Sequence, residues 1–129
     1  MEEENKWRNK SFLKAAKHSI DGIIFFIKTG RNIKLQILAA LLVVIAAIIL
    51  KVNYIEAAII GLTIFLVFAF EVVNTAIENL ADLYSMEYNE KIKAIKDTAA
   101  GAVSLVALGS VVVGIAIFTP KILVLLNWL

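Results

Sequence analysis

The sequence predicts an all-α membrane protein, with three transmembrane helices and an N-terminal amphipathic helix lying on the bilayer surface. Three observations predict it. Of the 129 residues, 60% are hydrophobic, against roughly 45–50% in soluble domains, and the mean hydropathy is +0.84. The apolar residues are concentrated in long stretches without charge. The charges are uneven: eight of the thirteen basic residues fall between Lys6 and Lys34, although the net charge is only +2.

The surface helix is predicted over residues 11–29, with Ser11 as its N-cap. Phe12, Ala15, Ala16, Ile20, Ile23, Ile24 and Ile27 recur at helical spacing. Lys14, Lys17, Asp21 and Lys28 occupy other faces. A basic amphipathic helix beside a membrane span favours the interface, though the same pattern suits an ordinary packing helix. Gly30 follows as a candidate C-cap.

The first span is predicted over residues 33–52, the second over 55–83 and the third over 98–118. No charge separates Lys34 from Lys51. The turn at 51–54 is so short that the second helix must return antiparallel. The third span is rich in Ala, Gly and Ser, including Ala100-x3-Ser104 and Ser110-x3-Gly114, which permit close helix approach in lipid. Thr119-Pro120-Lys121 is expected to break or kink it, leaving an apolar tail with Trp128 as an interface anchor. Three helices make a thin bundle, so a homo-oligomer is expected.

Lys and Arg crowd before the first span and again at Lys91, Lys93 and Lys96, whereas the opposite loops carry only Lys51 and Lys121. The positive-inside rule therefore places the N-terminus and residues 84–97 in the cytoplasm. A cleaved signal peptide is not expected, because the first apolar segment begins well inside the chain and lacks a small-residue cleavage pattern. No basic stripe with interleaved aromatics suggests nucleic-acid binding. The absence of cysteine and the single histidine, His18, exclude thiolate chemistry, Cys-ligated metals and a His-cluster metal site.

The chemistry concentrates in Glu71, Asn74, Glu78 and Asp82. At about 100° per residue they form one stripe of the second span. An acidic side chain at mid-span costs about 2.5–3.5 kcal/mol on the insertion scale. The row therefore needs a cation, a basic side chain or a proton as partner. Mg²⁺ is a candidate, since it favours carboxylate and phosphate oxygens. Lys96-Asp97 begins the third span, where a lysine could meet a nucleotide phosphate. Metal-holding carboxylates, a lysine and a carboxylate base are the parts of phosphoryl transfer. Spacing alone leaves a proton or ion pathway and simple helix-locking ion pairs open. The clustering of the polar residues at one end of the membrane counts against a pathway.

The stretch from Glu71 to Asp82, EVVNTAIENLAD, resembles the E-x-x-N-[ST]-A-I-E-x-x-x-D signature of the bacterial integral-membrane diacylglycerol kinase family. Ile95-Lys96-Asp97, followed by small residues, resembles that family's A-K-D segment apart from Ile95. The resemblance extends over nearly the whole chain. It implies a homotrimer in the bacterial inner membrane, with active sites between subunits at the cytoplasmic face. The implied donor is ATP with Mg²⁺, and the implied acceptor is a membrane lipid alcohol. By matching position, Glu71 would be the general base, Asn74 would position the reacting groups and Glu78 would hold Mg²⁺. Lys96, Asp97 and Glu87 would contact the nucleotide.

The N-terminal part matches less closely. His18-Ser-Ile-Asp-Gly22 resembles a family segment that approaches the nucleotide, although a solvated surface histidine is the simpler reading of His18. Eight residues after that glycine the family normally carries a glutamate, a second metal ligand. Here Gly30 precedes Arg31-Asn32. Gln36 stands where related chains often carry histidine. The Arg-Asn pattern and short N-terminus resemble the Gram-positive branch, which implies undecaprenol ahead of diacylglycerol as acceptor. The alternative is a catalytically impaired member that binds lipid or nucleotide without turnover, because the expected metal-ligand glutamate is Gly30.

Overall fold

The computed structural model describes residues 12–30, 32–84 and 88–127. Ser11, Arg31, Glu87 and Trp128 lie outside the described residues. Among the described residues the structure is all-helical: α1 (Phe12–Thr29), α2 (Ile33–Ile49), α3 (Tyr54–Tyr84) and α4 (Glu90–Asn127). The chain divides into two units, residues 1–30 and 31–129.

In the first unit, α1 is amphipathic as expected. Lys14, Lys17, Asp21 and Lys28 share one side, and Phe12, Ile20, Ile23 and Ile27 share the other. The left-handed C-cap expected of Gly30 is not what the structure adopts. No described glycine has a positive φ, and the Gly30 N–H donates to the Phe26 carbonyl at 2.7 Å, extending the helical pattern by one residue. The glycine is nonetheless spatially required. A Cβ built there would lie 2.8 Å from the Phe26 carbonyl oxygen and 3.0 Å from its ring.

In the second unit, α3 and α4 are long and apolar enough to cross a membrane. The apolar α2 has 17 residues, about 26 Å at 1.5 Å per residue. It ends three residues earlier than the sequence suggests, because Leu50 to Asn53 form a tight reversal. The Lys51 N–H bonds to the Ile48 carbonyl at 3.2 Å and the Val52 N–H to the Ala47 carbonyl at 3.1 Å. Lys51 has φ 51°. This is a Schellman ending with lysine in the left-handed position usually given to glycine. Asn53 then caps α3: its Oδ1 accepts from the Ile55 and Glu56 N–H groups at 2.9 and 3.0 Å. Glu56 Oε2 in turn accepts from the Asn53 N–H at 2.7 Å, completing a capping box.

The fourth helix departs most from expectation. It starts at Glu90, eight residues before the predicted span, because Asn89 Oδ1 accepts from the Lys91 N–H at 2.9 Å and caps it. It also continues through Pro120 to Asn127 rather than breaking there. Proline lacks a backbone N–H and so removes one helical hydrogen bond, but the bonds on either side carry the helix on.

Packing in this unit is chiefly α3 against α4, with α2 touching α3 lightly. Two ion pairs fix the register. Lys121 Nζ lies 2.8 Å from Glu56 Oε2, and Lys96 Nζ lies 2.8 Å from Asp82 Oδ1. These contacts are 26 residues apart on α3 (56 to 82) and 25 on α4 (96 to 121), so the helices run antiparallel without slippage. Twenty-six residues of helix span about 39 Å. A bilayer hydrocarbon core is about 30 Å thick, or about 40–45 Å with headgroups. The separation of the two pairs thus matches the thickness of a bilayer with its headgroups.

Candidate functional site

The stripe read from the sequence is a stripe in the structure. Glu71, Asn74, Glu78 and Asp82 follow one another along α3. Glu71 is 4% exposed and Asn74 8%, Glu78 is half-buried and Asp82 exposed. The row thus runs from a buried carboxylate to a solvated one. Along it, α4 presents Ala99, also buried, and from Thr98 to Pro120 it carries no charge.

Asn74 Nδ2 donates to Glu78 Oε1 at 3.2 Å, which orients both side chains. The opposite atom, Asn74 Oδ1, is buried with no hydrogen-bond partner among the described residues. An unpaired buried acceptor costs about 1–3 kcal/mol, so this oxygen stands ready for a donor or a cation. Among the described residues neither Glu71 nor Glu78 forms an ion pair.

The basic residues take other partners. Lys96 reaches Asp82, and Asp97 is 3.3 Å from Lys93 one helical turn away. The Lys96 side chain is 35% exposed and that of Asp82 53%, so this pair is open to water and to competing anions. His18 is exposed on α1. The second unit thus brings Glu71, Asn74, Glu78, Asp82 and Lys96 onto the facing helices α3 and α4, with Asp97 one residue further along α4.

The donor set decides what kind of metal suits this row. Among the described residues no three His, Asp or Glu side chains gather closely enough to hold an ion, so the described side chains build no closed protein cage. Mg²⁺ keeps several waters and binds through one or two carboxylates plus substrate phosphates. The Glu78 carboxylate and the unpartnered Asn74 oxygen fit an ion held in that way.

Two features escaped the sequence reading. The Glu56–Lys121 pair joins the helices at the end away from the carboxylate row. Only its Glu56 half had a signal, since Asn53-x-x-Glu56 before an apolar run is a capping-box pattern; the spacing carries nothing about Lys121. The other is the unpartnered state of Gln36, whose Oε1 is buried with no hydrogen-bond partner among the described residues. It faces a cleft lined by α2, α3 and α4.

A model of the prokaryotic diacylglycerol kinase family matches residues 17–118. An undecaprenol kinase from Bacillus subtilis (strain 168) is 39% identical over 111 residues, which cover 86% of this chain and 90% of that protein. A diacylglycerol kinase from Synechocystis sp. is 34% identical over 125 residues, covering 95% of this chain and 71% of that protein. The matched region includes the whole carboxylate row and Lys96-Asp97, and on these findings the chain belongs to the prokaryotic diacylglycerol kinase family.

Proposed function

We propose that the protein is a lipid kinase that transfers the γ-phosphoryl group of ATP to the hydroxyl of a membrane lipid alcohol. The observation that carries this reading is the row of Glu71, Asn74 and Glu78 in a chain whose relatives are named lipid kinases. Undecaprenol is favoured over diacylglycerol as acceptor, because the undecaprenol kinase is the more similar of these two relatives and covers most of both chains.

In the proposed mechanism Glu71 accepts the proton of the acceptor hydroxyl. The lipid oxygen forms a bond to the γ-phosphorus, and the bond from that phosphorus to the β–γ bridging oxygen breaks. ADP leaves with the electron pair. A positioned general base contributes typically 10²–10⁴-fold, and burial keeps Glu71 near an acceptor arriving from the bilayer. Asn74 orients Glu78 through its amide hydrogen bond and presents its free oxygen to the reacting groups. Glu78 would hold Mg²⁺, which, when bound, neutralises phosphate charge. Lys96 exchanges Asp82 for a nucleotide phosphate, an exchange that its exposure permits. Asp97, Glu87 and His18 are assigned to the nucleotide.

The reaction belongs at the cytoplasmic face of the bacterial inner membrane, with three spans, α1 at the surface and three copies assembled. The charge bias of the loops supports this orientation. Purified protein incubated with Mg-ATP and either undecaprenol or diacylglycerol tests the reading. Phosphorylation above a Glu71→Gln background supports it, and none above that background rejects it.

Gly30 motivates a second reading, a member that binds nucleotide without turnover. The space a side chain would need there is occupied by Phe26. Calorimetric titration with a non-hydrolysable nucleotide tests it. Binding without phosphorylation supports it, and no binding rejects it.

A further inference from the structure

Besides the cleft that Gln36 faces, a cleft of about 390 Å³ opens between α2 and α3 at the end of the bundle away from the carboxylate row. Its walls include Val44, Ala47 and Lys51 on α2 and in the turn, and Ala57, Gly61 and Ile64 on α3. Each wall runs seven residues, from 44 to 51 and from 57 to 64, about 11 Å of helix. The room comes from small side chains: a Cβ built on Gly61 meets nothing within 4 Å.

Among the described residues, Lys51 is the one polar side chain in this lining, and it forms no ion pair with another of them. Glu56, the carboxylate at this end, is engaged by Lys121 at 2.8 Å. The described residues at this end therefore carry one uncompensated positive charge. Lys51 also holds φ 51°, a conformation that glycine adopts without strain. Such strain persists where the surroundings over-determine it, and it marks positions whose side chain has work to do. The turn at 50–53 is backbone outside a helix, which is stable at a membrane surface and not among lipid chains. Lys51 thus stands where phosphate headgroups are, and the apolar cleft runs from it toward the bilayer interior.

We propose that this cleft binds an anionic phospholipid in the leaflet opposite the carboxylate row. One acyl chain lies between α2 and α3, and the headgroup phosphate meets Lys51 Nζ. A second copy of the chain suits the cleft less, because Glu56, the carboxylate it would bring to this end, is already held by Lys121. Lipid chains are as apolar as the cleft, so the acyl chain contributes fit rather than affinity. The lysine supplies the preference for negative charge.

The test places the full chain in phosphatidylcholine nanodiscs. Each holds a trace of photoreactive phosphatidylglycerol or of photoreactive phosphatidylcholine with the same acyl chains, and the crosslinked peptides are mapped. In the wild type, phosphatidylglycerol is expected to label residues 44–64 about fivefold more than phosphatidylcholine, the preference one lysine confers at a membrane surface. Lys51→Gln is expected to bring that ratio to about one, and Lys51→Arg to retain it. Gly61→Leu, which fills the cleft, is expected to abolish labelling of this segment by phosphatidylglycerol. Ala57→Leu fills the same space and replaces it if the first variant does not fold. Leu62→Phe, outside the lining, changes nothing. Equal labelling by the two lipids in the wild type, a ratio that survives Lys51→Gln, or labelling undiminished by the filling variants overturns the proposal. Crosslinks from this segment to a second copy in place of lipid also overturn it, by assigning the cleft to an oligomer. Kinase turnover is not a readout, so these outcomes stand apart from the catalytic reading.

Discussion

Lys96 Nζ sits 2.8 Å from Asp82 Oδ1, joining α4 to α3 at the solvated end of the carboxylate row. An exposed pair of this kind contributes about 0–1 kcal/mol to stability. Its significance lies elsewhere: Asp82 holds a lysine beside the proposed phosphate position without committing it. Asp82→Asn should therefore leave thermal stability nearly unchanged, while Lys96→Met should lower kcat/KM for ATP by about 100-fold, as loss of a charge-assisted phosphate contact does. Steady-state kinetics with varied ATP checks this. Equal, small effects of both substitutions would assign Lys96 to helix pairing alone.

The Glu56 carboxylate serves two structural ends, capping α3 and pairing with Lys121 at 2.8 Å. Glu56→Gln keeps a hydrogen-bonding side chain and loses the charge, whereas Glu56→Ala loses both. Thermal unfolding in detergent should show a lower Tm for each, with the larger fall for Glu56→Ala. Turnover per folded molecule should be unaffected, because the pair lies at the end of the bundle away from Glu71. A loss of kcat without a loss of Tm would contradict this assignment.

Lys51 adopts φ 51° in the α2–α3 turn. A non-glycine residue there pays roughly 1–2 kcal/mol of backbone strain, partly returned by the restricted unfolded chain. Lys51→Gly should stabilise the protein by about 0.5–1 kcal/mol in a reversible unfolding assay. Destabilisation would show that the lysine side chain makes a compensating contact.

Gly30 is tightly enclosed, with Phe26 carbonyl oxygen 2.8 Å from the position of an added Cβ. Gly30→Ala should destabilise by about 1–3 kcal/mol, as overpacking does. Gly30→Glu carries the same steric cost but restores the carboxylate expected of the family. It should raise kcat in spite of a lowered Tm, which Gly30→Ala should not. If neither changes kcat, the residue at this position takes no part in metal binding.

Much of this architecture was legible in the sequence because membrane helices announce themselves. The start of α2 and both ends of α3 fall within one residue of their predicted positions, since long uncharged runs can satisfy their backbone only as helix. The stripe from Glu71 to Asp82 was legible for the same reason, being set by spacing within one helix. What the sequence concealed depends on three-dimensional pairing. The span limits hid the ends of α4, where Asn89 caps the helix early and neighbouring hydrogen bonds carry it past Pro120. The left-handed Lys51 follows from a turn whose hydrogen bonds outweigh its residue preference. Gln36 was visible only as a departure from related chains, because an unpartnered oxygen is a property of its surroundings.

Phosphorylation of undecaprenol by the wild-type and Glu71→Gln proteins tests most directly whether the buried Glu71 is the base of a lipid-alcohol kinase. With Mg-ATP in mixed micelles, the wild type should form undecaprenyl phosphate, and Glu71→Gln should be slower by at least about 100-fold with unchanged nucleotide affinity. A Glu71→Gln protein as active as the wild type, or a wild type no faster than the variant, would contradict the account.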